Sequence, residues 1–170
     1  SNSENTVFAH NLFIDYPWSY NQDLDRRSRY FTPHTCEEAG RKTGVPANER
    51  WYNNIFYTMG LEGVKEAEGY LSDHNVFIRG AQPSFFEGEN SIVLSDSTVL
   101  NDTDKFTFKA EMTRETYALS WTVDPELFSA ERPWVDVNLI GEFPVVRQTI
   151  EDADGNPIRV DTDIHGEVRE

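Results

Sequence analysis

Three segments of this chain repeat one pattern, a polar residue followed by Asn, an aliphatic residue and Phe: His10-Asn11-Leu12-Phe13, Asn53-Asn54-Ile55-Phe56 and His74-Asn75-Val76-Phe77. Asn54 and Asn75 are 21 residues apart, and Asn11 and Asn54 are 43 apart, close to twice that spacing. The doubling implies a further unit near 32–33, where Arg29-Tyr30-Phe31-Thr32 is strand-like but lacks the Asn. Short apolar stretches at a fixed period, each too short to bury its own face, predict a solenoid with one coil per repeat. The asparagines Asn11, Asn54 and Asn75 suit it. Asn tolerates the left-handed backbone where the chain turns between sheets, and its amide can bond to the Asn of the next coil as a ladder. The aliphatic and Phe positions would then stack as columns inside the coil. The competing possibility is three unrelated strands that share a tetrapeptide pattern.

On this basis residues 1–82 are expected to form parallel β-helix coils. The connections Tyr16 to Arg29 and Pro33 to Glu49 are long, polar and aromatic. In a solenoid such insertions leave the coil on one face and build a binding surface. After Gln82-Pro83 the character changes. Ile92–Leu94, Lys105–Met112 and Tyr117–Val123 alternate apolar and polar residues, the period-2 sign of half-buried antiparallel strands. Val135–Ile140 and Val145–Ile150 follow as strands, and Asp154-Gly155-Asn156 makes a tight turn into Ile158–Val160. The expected fold class is all-β, with residues 83–170 an antiparallel, sandwich-like region packed on the coils or completing them.

Charge and composition narrow the partners. Fifteen Lys and Arg stand against thirty Asp and Glu, a net charge of −15, which repels phosphate backbones and anionic lipid, so neither nucleic acid nor membrane is an expected partner. Aromatic residues make up 13% of the chain, too many for an acidic disordered segment. The single Cys36 excludes an internal disulfide and a Cys-cluster metal site. No phosphate loop, zinc-type His pair or Ser-nucleophile elbow occurs, and no cofactor or metal is expected. Asp152-Ala153-Asp154-Gly155-Asn156 superficially resembles a calcium loop, but its glycine comes too early and no closing Glu follows, so a hairpin turn is expected there.

The carboxylates of the coil region bear on chemistry. Asp15 lies four residues after Asn11, and Glu37 lies four residues after the implied unit near 32–33. In register they would stand one coil apart, about 4.8 Å between strands, against the ~5–5.5 Å of a retaining glycosidase pair. The competing reading is two solvated loop acids. Around them Tyr16, Trp18, Tyr20, Tyr30 and Trp51 offer flat apolar surfaces for sugar rings. His34, Arg26, Arg27 and Arg29 offer donors for hydroxyls.

These segments also carry a resemblance. Phe8-Ala9-His10-Asn11-Leu12-Phe13, then Arg29-Tyr30-Phe31-Thr32-Pro33-His34-Thr35-Cys36-Glu37, then Arg50-Trp51-Tyr52-Asn53-Asn54-Ile55-Phe56 come in the order and spacing of right-handed parallel β-helix glycoside hydrolases. The sequence most resembles the β-xylosidase-like proteins of glycoside hydrolase family 120. The tail Asp154-Gly155-Asn156-Pro157-Ile158-Arg159-Val160-Asp161-Thr162-Asp163, with Gly166 and Arg169, is similar to the end of those proteins.

The resemblance implies a β-helix carrying a β-sandwich, and hydrolysis of β-linked xylose-type sugars with retention by two carboxylates. In the family those carboxylates lie in earlier coils, in a Trp-Leu-Asp-Trp and a Phe-x-Glu-x-Asn-His-Gly context, and neither occurs in this sequence. The resemblance therefore implies the C-terminal part of a longer enzyme without its catalytic coils. What carries over is the accessory wall of the sugar pocket: Arg29, Tyr30 and His34, with Glu37 a weaker candidate; Trp18 and Trp51 join them as sugar-binding candidates on their flat rings alone. The alternative is a noncatalytic carbohydrate-binding or structural β-helix module. An open N-terminal coil around Val7–Ile14 would expose unpaired backbone and invite a homodimer.

Overall fold

The structure is a computed structural model describing residues 4–15, 23–44, 46–65, 68–94, 106–113, 117–123, 131–144, 147–163 and 165–169. In chain order the strands are β1 (Val7–Ala9), β2 (Leu12–Ile14), β3 (Asp23–Phe31), β4 (Glu38–Gly44), β5 (Arg50–Tyr52), β6 (Ile55–Tyr57), β7 (Leu71–Asp73), β8 (Val76–Ile78) and β9 (Ile92–Val93). They are followed by β10 (Phe106–Met112), β11 (Tyr117–Val123), β12 (Val135–Asp136), one helical turn α1 (Val137–Ile140) and β13 (Arg159–Val160). The described residues are thus almost entirely β and irregular structure.

Two parallel sheets carry the repeat. One has the order β1-β5-β7 and the other β2-β6-β8-β9. In register, Phe8 lies beside Trp51 and Trp51 beside Ser72, while Phe13, Phe56 and Phe77 follow one another in the second sheet. Each tier is thus a pair of three-residue strands, and three tiers stack directly. Parallel bridges Glu4↔Ala47 and Ala47↔Glu68 link the tiers at a third point.

Three left-handed corners recur in each tier. They fall at Asn5, Asn48 and Gly69, at His10, Asn53 and His74, and at Asp15, Thr58 and Arg79, all with φ between 51° and 68°. The Asn ladder lies one residue beyond the middle corner. The left-handed backbone expected of Asn11, Asn54 and Asn75 is adopted instead by the residue before each. The ladder residues are freed to bond along the stack. Asn11 N donates to Asn54 Oδ1 at 3.0 Å and Asn54 N to Asn75 Oδ1 at 2.9 Å. The side-chain amides repeat the links at 3.2 and 3.1 Å. At the next step Ser91 takes over, its Oγ accepting from Asn75 N at 2.9 Å.

The Phe and aliphatic columns do not share one interior. Trp51, Phe56, Leu61, Val64, Tyr70, Phe77 and Ala81 form one buried cluster with Phe8 and Phe13 against it. Ile55, Tyr57, Val76 and Ile78, with Leu12, Ile14, Ile92 and Leu94, form another on the opposite face of the second sheet. Alternation along a strand requires this. Val76, Phe77 and Ile78 are all fully buried, so the sheet is covered on both faces. The strand repeat of ~4.8 Å sets the ring spacing: Phe13 to Phe56 and Phe56 to Phe77 are each 5.0 Å between centroids and stacked.

The unit implied near 32–33 is not a tier. β1 pairs directly with β5 and β2 with β6, and β3 pairs antiparallel with β4 as a hairpin inserted between tiers. The run Asp23-Leu24-Asp25-Arg26-Arg27-Ser28-Arg29 carries five charges, and Arg29-Tyr30-Phe31-Thr32 lacks the ladder Asn, so the segment fits a wet hairpin better than a tier. Three further strand expectations differ: of Val145–Ile150, the described residues 147–150 hold only the isolated bridge of Gln148 to Phe143. Ile92–Val93 joins the second sheet in parallel, extending the stack beyond residue 82, and Val135–Ile140 is a two-residue strand followed by α1. The reason for α1 is a cap: Asp136 Oδ1 accepts from Asn138 N at 2.9 Å and Leu139 N at 3.1 Å. Those backbone donors, Leu139 first, hold the Asp136 carboxyl below the usual range.

β10 and β11 pair antiparallel from Phe106↔Val123 to Met112↔Tyr117. The Asp154-Gly155-Asn156 turn forms, with Asp152 Oδ1 accepting from the backbone of Asp154 and Asn156 at 2.9 and 2.8 Å. The C-terminal segment covers the outer face of the first sheet, where Val135, Ile140 and Phe143 bury Tyr52 and pack on Val7 and Ala9. Arg50 pins it. Its Nε donates to Ile140 O at 2.9 Å, and its guanidinium sits 5.4 Å over the Phe143 ring.

Candidate functional site

The hairpin β3–β4 brings several expected site residues onto one element. Tyr30 pairs with Gly40, and a side chain at Gly40 would meet the Tyr30 ring at 2.5–2.9 Å, so the ring covers the glycine across the strand. Arg29 Nε lies 3.3 Å from Glu38 Oε2, and Arg41 Nε 2.8 Å from Glu38 Oε1. Both arginine side chains are more than half exposed, 60% and 52%, so the pairs place donors on a wet surface rather than holding the fold. Alternation puts Arg29 and Tyr30 on opposite faces of the hairpin.

His34 sits at the hairpin end, in the left-handed region at φ 58°. Thr35 Oγ1 braces the turn, donating to Thr32 O at 2.9 Å and accepting from Glu37 N at 3.1 Å. His34 Nε2 lies 3.1 Å from Glu151 Oε2 and 3.1 Å from Gln148 Nε2. The hairpin end is thereby tied to the segment that covers the first sheet. With Nε2 taken up by these neighbours, Nδ1 of the exposed imidazole is the atom left to bond a hydroxyl.

The other expected residues scatter. Trp51 is fully buried and stacked on Phe8 at 3.9 Å, so it is a core residue and no platform for a sugar. Its place at the middle of a tier strand dictates this. Asp15 and Glu37 are both exposed, but the coil that would have placed them in register does not exist. The residue one tier from Asp15 is Thr58, whose Oγ1 donates to the Asp15 carboxylate. Glu37 belongs to the hairpin turn. Trp18, with Tyr16 and Tyr20, lies outside the described residues, as does the Arg26 side chain.

A second locus was not singled out from the sequence. Where the two sheets meet at the middle corners, a cavity of about 270 Å³ is lined by His10, Asn11, Asn53, Asn54, Arg132 and Arg169 over an apolar floor of Leu12, Ile55 and Val76. Arg132 reaches it from the C-terminal segment and donates to His74 O. Arg169 is braced by its Nε on Thr162 O at 2.8 Å. Burial first, and then the charges of Arg169 and Arg132, lower the His10 pKa from 6.5 to about 4, so its ring is neutral at physiological pH. Burial also lowers the Arg132 guanidinium. The only signal in the sequence was the polar residue before each ladder Asn, because Arg132 and Arg169 arrive from more than 120 residues along the chain.

Inside the stack a polar patch follows the Phe column. Glu87 accepts from Ser72 Oγ at 2.7 Å, Ser84 Oγ at 3.2 Å, Asn75 Nδ2 at 2.9 Å and Ser91 Oγ at 2.7 Å. Tyr70 beside it is raised well above its usual pKa, mainly by burial. A carboxylate with four donors is a structural plug for the ladder end, with its acceptor capacity occupied.

These features define a class by fold: an all-β chain built on stacked parallel sheets with a polar hairpin inserted between tiers. A solved structure of the same fold is the complex of XylC with xylose, which matches 96% of this chain with a TM-score of 0.77 at 19% sequence identity. The matched part is 29% of the XylC chain, so the present chain spans less than a third of that protein's length. No protein-family model matches the sequence, and no curated protein matches it.

Proposed function

We propose that this chain is the C-terminal part of a carbohydrate-active right-handed parallel β-helix glycoside hydrolase of β-xylosidase-like type. It supplies part of the sugar-pocket wall and lacks the catalytic carboxylates. The observation that carries this is the fold likeness to a protein solved with xylose, spread over nearly the whole chain but under a third of that protein. The directly stacked tiers and the Asn ladder support β-helix coils, which β9 carries past residue 83, so that the coils run to at least Val93 before the antiparallel part begins.

In this reading the wall is the hairpin. Arg29 presents a guanidinium from one face of the insertion and His34 an imidazole from its end, with Glu37 in the same turn, while Tyr30 on the opposite face covers Gly40. Trp18, in the adjoining connection of the sequence, is proposed as an aromatic platform. β1 and β2 have no further strand beside them among the described residues. That open edge suits pairing with preceding coils of a longer protein or with a second copy of this chain. The second reading is a noncatalytic carbohydrate-binding or structural module, and the burial of Trp51, which removes one expected sugar platform, favours its structural form.

The two candidate carboxylates of the coil region, Asp15 and Glu37, make a direct test. Assayed alone on aryl β-xylosides, the chain is expected to show no turnover above the uncatalysed rate. Robust turnover abolished by Asp15→Asn or Glu37→Gln would overturn the proposal that its catalytic pair is absent.

A further inference from the structure

We propose that the groove beside Phe85 is a further sugar subsite, in which a neutral pyranose ring of a longer xylose-type oligosaccharide stacks on Phe85 and bonds through its hydroxyls to Glu62 and Lys65. This subsite deepens the carbohydrate function proposed above and rests on it.

The order of the coil puts the groove on the same side of the stack as the hairpin. In each tier the chain leaves the second sheet at a left-handed corner, Asp15, Thr58 or Arg79, and then returns to the first sheet. The hairpin lies in the first of these connections, Glu62 and Lys65 in the second, and Pro83 and Phe85 in the third, before Glu87 bridges to Ser72. The connection of Phe85 is therefore two tier steps from that of the hairpin, about 10 Å at the ~4.8 Å strand repeat. A ligand that uses both must be an oligosaccharide.

Phe85 is held out by the frame beneath it. Its N–H donates to Val64 O at 3.3 Å, Gly88 N donates to Ser72 O at 2.7 Å, and Ser84 Oγ donates to Glu87 Oε2 at 3.2 Å. The ring itself is 83% exposed. Phe86 braces it edge-on with centroids 5.4 Å apart, and Phe86 leans in turn on buried Tyr70 at 5.9 Å. A phenyl ring left in water forgoes the burial that favours such side chains in a core. With its backbone already fixed, it has little ordering entropy left to lose when a ligand stacks on it.

The groove beside the ring holds about 450 Å³ and is lined, among the described residues, by Glu62, Lys65, Pro83, Ser84 and Phe85. That volume lies within the ~300–1,000 Å³ of small-ligand sites. One carboxylate and one ammonium face it from exposed side chains, so neither sign of charge prevails and a neutral ligand suits it better than an ion. Glu62 Oε2 accepts from Gly60 N at 3.0 Å, which steadies the carboxylate and leaves Oε1 for a hydroxyl. Lys65 supplies donors. An acceptor, a donor and a flat apolar ring along one groove match a pyranose, whose C–H face is apolar and whose edge carries hydroxyls. A docked protein segment would want a broader apolar floor than one ring and Pro83.

Calorimetric titration with xylobiose and xylohexaose, run on the parent chain, Phe85→Ala, Phe85→Leu, Phe85→Trp and His34→Ala, tests this. The hexaose is expected to bind more tightly than the biose, and Phe85→Ala to weaken the hexaose by about tenfold while leaving the biose unchanged. Phe85→Leu, which keeps an apolar side chain and loses the flat face, should weaken it nearly as much, and Phe85→Trp should retain it. Circular dichroism of each variant confirms that it is folded. Hexaose binding that is insensitive to Phe85→Ala, or no tighter than biose binding, would overturn the inference. Light scattering in which Phe85→Ala turns a dimeric parent into a monomer would also overturn it, making the ring a contact between copies. If both sugars bind and weaken in His34→Ala but not in Phe85→Ala, the inference fails and the proposed function stands; if neither binds, both fail.

Discussion

Replacing Asn54 by Leu is expected to cost about 3–5 kcal/mol of folding free energy, summing unpaired buried groups at about 1–3 kcal/mol each with partial relaxation. Asn54 is fully buried, and its side chain serves three neighbours. Its Oδ1 accepts from Asn11 N, and its Nδ2 donates to Phe8 O at 3.0 Å and to Asn75 Oδ1 at 3.1 Å. Leu has similar volume and can satisfy none of them. The backbone donor of Asn11, the carbonyl of Phe8 and part of Asn75 would be stranded away from water. A loss of this size is a large share of the ~5–15 kcal/mol that holds a typical domain together. Urea unfolding followed by tryptophan fluorescence measures it, with Trp51 reporting from the same tier. A loss below about 1 kcal/mol would mean that the ladder does not bind the tiers together.

Phe56→Ala is expected to cost about 3–5 kcal/mol as well, by a different mechanism. Phe56 is the middle ring of the column, 5.0 Å from both Phe13 and Phe77, and only 2% exposed. Truncation removes the transfer energy of the ring and leaves a cavity between two rings that the strand spacing holds apart, so collapse is restricted. Two stacking contacts, about 0.5–1.5 kcal/mol each, are lost at once. Phe85, 83% exposed, is the internal control, and Phe85→Ala should lie within about 0.5 kcal/mol of the parent. Thermal unfolding of the two variants side by side decides it. Equal stabilities would show that the column is not the core. Asn54 and Phe56 lie in one tier, so their effects are not expected to add.

The tiers were legible from the sequence because the Asn and Phe columns follow from the strand period itself. Asn54 and Asn75 stand one tier apart in both sequence and space, so a single interval predicts their contact. The interval of 43 between Asn11 and Asn54 is not two periods, and no tier stands at 32–33. It is one tier step with a hairpin inserted, and the charged run Asp23 to Arg29 was the mark of a segment that could not enter the stack. The opposite facing of Phe77 and Val76 was hidden for another reason. A run of three apolar residues looks the same whether a strand is buried on one face or two.

The site was less legible than the fold. His34 could be picked out as a donor, but its neighbours Gln148 and Glu151 arrive through tertiary packing. Trp51 reads as a platform only until its strand is placed, since its register beside Phe8 turns it inward. The corner cavity depends on Arg132 and Arg169 meeting His10 across most of the chain, which no local pattern announces.

The central proposal is that the hairpin forms part of a wall for xylose-type sugars. Its most direct test is calorimetric titration of the chain with xylo-oligosaccharides, alongside a His34→Ala variant. Saturable binding that weakens by about tenfold in His34→Ala, roughly 1.4 kcal/mol, is the expected result. No heat and no shift in melting temperature with any xylo-oligosaccharide would contradict it and leave a structural module.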